Sequence, residues 1–257
     1  MFDRLQKPFL TVETGEAYQP IRLTYTLTDK AETLRALEKL HCVEKSSSSS
    51  AWTWYWRNEC DSLHFESLTA FRKPQRAMRL GTFTIQEDKL YLNLPSFKRA
   101  CLALTFFHRI FTREMGSIQY GDFINKVFSL DERLPHGFTE LFKEEELNLI
   151  LEQRVNDYYK VKARCEDAAT AEEAFAVLAE YTHTEATKRL PYAERYVFDF
   201  AATEDADVMF LAFYIFLRGR ELVAIKRWFG QLGYNLADAA EDTFDQVFGD
   251  LGIDLLE

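Results

Sequence analysis

The sequence predicts an α+β fold: a small, mainly antiparallel sheet with one or two helices in the N-terminal half, then an all-helical C-terminal half. Three observations carry this. Apolar residues alternate at period two in Pro20–Leu27 and in Met78–Leu94, the spacing of half-buried strands. Beyond residue 139 they recur at helical spacing instead. Charge divides the same way: residues 1–138 hold 19 Lys+Arg against 16 Asp+Glu, and residues 139–257 hold 12 against 25. Two units are therefore expected, 1–125 (α+β, with an aromatic strand and a hairpin) and 139–257 (acidic and helical). The segment "DERLPHGFTE" breaks the pattern between them, and the two units can share one core.

In chain order, "PIRLTYTL" (Pro20–Leu27) puts Ile21, Leu23, Tyr25 and Leu27 on one face. Asp29 with Glu32 is a capping box opening a short helix that ends near His41. Ser46–Ser50 suits a flexible loop tip, and "AWTWYW" follows as a strand. In Met78–Leu94, Glu87-Asp88 sits at the turn of a hairpin, which Pro95 ends. Ser96 caps a helix whose stripe is Phe97, Cys101, Leu104, His108 and Phe111. In the second half Leu147, Leu151, Val155, Tyr158 and Cys165 form a helical stripe, and Thr170 with Glu173 opens the helix of Phe175, Leu178 and Tyr181. The helix through "VMFLAFYIFL" (Val208–Leu217) is apolar on all sides, so it is expected to be surrounded, with Gly219 closing it. A further helix carries Leu222, Ile225, Trp228 and Phe229. Asn235 caps the last helix, which Gly249 stops.

Four patterns invite functional readings. Trp52, Trp54 and Trp56 share a strand face and form an indole row, which suits a core, a partner interface or a stacking platform. The core reading is preferred, because three exposed indoles would approach the largest apolar patch usual for a monomer, roughly 300–600 Å². Arg72, Lys73, Arg76 and Arg79 crowd one loop of a chain whose net charge is −10, a candidate contact for nucleic acid or another acidic partner. Asp238, Glu241, Asp242 and Asp245 share the outer face of the last helix, a candidate surface for a basic partner. His108 and His183 lack the neighbours of a helical metal pair or catalytic cluster and read as structural. Glu204, Asp205 and Asp207 before the apolar helix, with Arg218 and Arg220 after it, complement the helix dipole.

Absent motifs narrow the function. The sequence has no GxGxxG after a strand, no P-loop, no HExxH and no GxSxG, and only 10 glycines in 257 residues, so phosphate-cradling loops are disfavoured. Four scattered cysteines (Cys42, Cys60, Cys101, Cys165) without a CxxC pair read as reduced and mostly buried thiols. No signal-peptide pattern or membrane-length apolar run is present, and a cytoplasmic location is expected. No metal or cofactor is expected, and the catalytic residues of any enzyme are not readable. The reading is a non-catalytic interaction, assembly or adaptor protein whose partner is another protein. The alternatives are a nucleic-acid-associated protein using the 72–79 loop, or an enzyme with an unmarked acidic site.

Overall fold

Strand period puts Ile21, Leu23, Tyr25 and Leu27 of β1 (Ile21–Leu27) on one sheet face and Arg22, Thr24 and Thr26 on the other. This computed structural model describes residues 8–47, 50–65, 77–135, 137–199 and 205–250, with side chains through Thr243. Among these residues β1 lies inside a seven-stranded antiparallel sheet, in the order β2-β3-β4-β5-β1-β6-β7. The others are β2 (Val43–Lys45), β3 (Ala51–Trp56), β4 (Met78–Gln86), β5 (Lys89–Leu94), β6 (Gly116–Ile124) and β7 (Ala193–Val197). The β4–β5 hairpin turns at Glu87-Asp88 as the sequence predicts, with Glu87 at φ 53°.

Helices cover the inner face of the sheet. Helix α1 (Lys30–Lys39) begins at Asp29, whose Oδ1 accepts the Glu32 amide at 2.8 Å. Helix α2 (Phe97–His108) is capped by Ser96 and lays Ala100, Ala103, Leu104 and Phe107 on the sheet. Its inward stripe is rotated from the predicted one. Cys101 is half-buried and His108 is exposed, standing edge-on to Phe210 with centroids 5.1 Å apart. The helix is apolar around most of its girth, so sequence spacing left its rotation undetermined. Phe107 sits amid Trp54, Phe83, Phe106 and Phe111, centroids 4.9–5.5 Å away, in a dense aromatic core.

The C-terminal half is not all helical. After α3 (Phe138–Leu141), α4 (Glu144–Glu166) and α5 (Ala171–Thr187), the chain returns as β7 and pairs with β6, Glu194 opposite Phe123 and Arg195 opposite Asp122. The segments 1–125 and 139–257 thus meet in one sheet. Helix α6 (Ala206–Trp228) runs straight through Gly219, which faces α7 (Leu236–Asp250): an added Cβ would lie 3.5 Å from Leu236 Cδ2. The predicted stop and second helix are therefore one continuous helix. Close approach of α6 to the sheet needs Gly121, where a Cβ would lie 2.9 Å from Phe213 Cζ. No helix among the described residues is long and apolar enough to cross a membrane.

Helix α6 is also not surrounded. Met209, Phe213, Leu217, Arg220 and Val223 face inward, whereas Val208 (54% exposed), Leu211 (58%) and Ile215 (58%) do not. An apolar circumference does not itself demand burial; here the helix lies on one sheet face with α2 and α7 beside it, and among the described residues nothing covers Val208, Leu211 and Ile215.

Candidate functional site

The indole row belongs to the core. Trp52 and Trp54 are buried on the inner face, and Trp54 stacks beside Phe106 while its Nε1 donates to Cys60 Sγ at 2.9 Å. A register shift follows Trp54, and Trp56 packs edge-on to Phe65. Neither buried indole has a face left for stacking on a ligand. The structure also gathers two cysteines the sequence kept apart. Cys42 and Cys60 are free, fully buried and hydrogen-bonded to each other; the Cys42 thiol, with Trp54 Nε1, holds Cys60 below its ordinary range against burial.

Of the basic loop, Arg72, Lys73 and Arg76 lie outside the described residues. Arg79 is exposed at the start of β4 and lines a cleft of about 650 Å³ with Glu13, Tyr18, Thr82, Asn93 and Arg99. Arg99 is the residue sequence reading missed. Fully buried in the first turn of α2, it donates to the Arg79 carbonyl at 2.8 Å, Thr14 Oγ1 at 3.0 Å and Glu13 Oε2 at 3.1 Å. Glu13 and Glu16 balance its charge, so this cleft is mixed in sign rather than basic.

The acidic face of α7 is partly spent inside the chain. Asn235 Oδ1 caps the helix, and Asp238 returns the bond by accepting the Asn235 amide at 2.8 Å. Asp242 accepts from Tyr234 Oη at 2.7 Å and Lys226 Nζ at 3.0 Å. Glu241 is exposed, and the Asp245 side chain lies outside the described residues. His183 is exposed on α5, where its carbonyl accepts from Thr187.

Two buried ion networks flank β7. On the outer face Arg195 grips Asp122 through Nε at 2.6 Å and Nη2 at 3.0 Å, and reaches Glu144 and Asn148 of α4. Against burial, Asp122 and Glu144 push the Arg195 guanidinium further up, so it holds its proton. On the inner face Glu194 takes Arg220 at 2.7 Å, Arg154 at 2.8 Å and Asn125 at 2.6 Å. Burial pushes its carboxyl up, but the Arg220 and Arg154 charges outweigh that and hold it below the ordinary range. These carboxylates are bound to guanidiniums, an arrangement that fastens α4 and α6 to the sheet edge rather than one that offers an acid or base to substrate.

The surface that remains is apolar. Val208, Leu211, Ile215 and Leu222 recur along α6 at spacings of three, four and seven, with Tyr214 beside them and Arg218 in the vacant place of the seam. The sequence carried the signal in "VMFLAFYIFL", whose apolar residues exceed what one buried face needs. The α4–α5 hairpin adds Tyr158, Tyr159, Phe175 and Leu178, all exposed. Among the described residues no group of three or more His, Cys, Asp or Glu is placed to hold a metal ion. No protein-family model matches this chain, and no curated protein or solved structure is significantly similar to it.

Proposed function

We propose that this chain is a non-catalytic assembly protein that pairs with a second copy of itself through the outer face of α6. The observation that carries the reading is the exposed stripe Val208, Leu211, Ile215 on a helix otherwise seated on the sheet. Its 3-4 spacing suits helix-to-helix packing, and its ends differ in charge, with Asp205 and Asp207 at one and Arg218 at the other. Antiparallel pairing about a two-fold axis sets the acidic end of one copy against Arg218 of the other, so the patch is complementary to itself. Arg218 also bonds Glu221 on its own helix, which orients it along the seam.

Light scattering on the full chain across a concentration series tests this. A dimer is expected for the native chain and a monomer for Ile215→Glu, with the melting temperature of the monomer otherwise kept because Ile215 faces away from the core. A native chain that is monomeric throughout, or a dimer that survives both Ile215→Glu and Leu211→Glu, overturns the reading. So does native material bound to a different protein that Ile215→Glu releases, and that result names the true occupant.

A further inference from the structure

A second cleft, of about 610 Å³, lies where three segments meet: the turn after β6 (Asn125, Lys126, Val127), the α5–β7 connection (Arg189–Tyr192) and the end of α6 (Ala224, Arg227, Trp228). Among the described residues its lining holds three cations and no carboxylate, in a chain of net charge −10. Lys126 is already neutralised by Glu132 at 2.5 Å. Arg189 is exposed, and among the described residues Arg227 donates its Nε to the Tyr234 carbonyl at 2.7 Å. Burial and the nearby Arg189 charge both lower the Arg227 pKa.

Two further features qualify the cleft. Tyr192 and Trp228 bring aromatic surface to the same walls, and Tyr192 is 51% exposed. Asn125 donates its Nδ2 to the Pro191 carbonyl and to Glu194, which ties the turn after β6 to the α5–β7 connection and fixes that wall of the cleft. A ligand matched to these walls carries an anion for the arginines and a planar group for the aromatic side.

We infer that this cleft binds a small phosphomonoester attached to a planar ring, of the mononucleotide class, with the phosphate between Arg189 and Arg227 and the ring toward Tyr192. Arginine forks replace the glycine-rich backbone cradle that the sequence lacks. The site is separate from the α6 seam, so it stands or falls independently of self-association.

Titration calorimetry on the full chain at low ionic strength, with AMP as probe, tests the site. AMP is expected to bind, and adenosine and inorganic phosphate each to bind at least about tenfold more weakly, since each lacks one half of the contacts. Arg189→Gln is expected to weaken AMP by about tenfold or more, while Arg35→Gln, an exposed cation elsewhere, leaves it unchanged. Arg189 is exposed, so its loss spares the fold; circular dichroism of the variant confirms that. Failure of AMP to bind, binding no tighter than either fragment, or equal affinity in Arg189→Gln overturns the inference.

Discussion

The sheet with α2 and the α4–α5 hairpin both carry large apolar side chains and use them in opposite ways. Under α2, Trp54, Phe83, Phe107 and Phe111 bury their rings against one another. In the hairpin only Leu147 and Val161 of α4 are buried and no residue of α5 is, while Phe175 is 72% exposed. Local signals are nonetheless strong there: Thr170 Oγ1 accepts the Glu173 amide at 3.2 Å, and Glu173 returns a bond to the Ala169 amide. Good caps make a helix; they do not make a core. Stability in this molecule is therefore concentrated in the sheet, and the hairpin is held by its attachment at β7.

That contrast can be broken at several points. Phe107→Ala should cost about 3–5 kcal/mol in urea unfolding, through lost burial and the cavity left among four rings. Phe175→Ala should stay within about 0.5 kcal/mol; a large loss there would mean that the hairpin is a packed part of the core. Glu194→Ala should cost about 3 kcal/mol or more, because Arg220 loses the carboxylate that compensates its burial. Native-state hydrogen exchange of that variant should show protection falling first in α4 and α5. Thr170→Ala should cost about 1 kcal/mol, read as faster exchange confined to α5.

A separate effect is expected in the acid sensitivity of Glu59. Burial raises its carboxyl, but bonds from the His41 amide and ring and from the Cys42 amide outweigh this and lower it to about 2. A depressed carboxyl stabilises the fold above its ordinary value of 4.5 and loses that contribution as pH falls toward 2. Glu59→Gln should flatten the stability profile across that window. An unchanged slope would assign the acid response to other carboxylates.

The same contrast explains what could be read in advance. β1, β3, β4 and β5 alternate apolar and polar residues because one face packs under helices and the other meets polar groups, and that alternation shows in the sequence. β7 was invisible for a physical reason. Glu194 and Arg195 point to opposite faces and are both buried, each in an ion network, so "AERYV" has no apolar period to detect. In β6 the bulge between Thr24 and Tyr25 of its partner, and Gly121 in place of an apolar residue, disguise the strand. Nothing near Arg99 in the sequence signals its burial, because its partners Glu13 and Thr14 lie more than 80 residues earlier in the chain. The cationic cleft is assembled from three distant segments, and no window of sequence contains it.

The β6–β7 pairing also sets an order of events. Asp122 is synthesised 73 residues before the arginine that neutralises it. Until β7 emerges, β6 is an open sheet edge carrying a carboxylate that is costly to bury, which disfavours premature closure over that edge. Five strands and β6 can assemble from the first half of the chain, but β6 gains its outer neighbour only when the α4–α5 hairpin has carried Arg195 back to it. Pairing of β6 on its outer side thus reports that translation has passed β7, and a chain truncated before Ala193 leaves β6, with its unneutralised Asp122, as the edge strand.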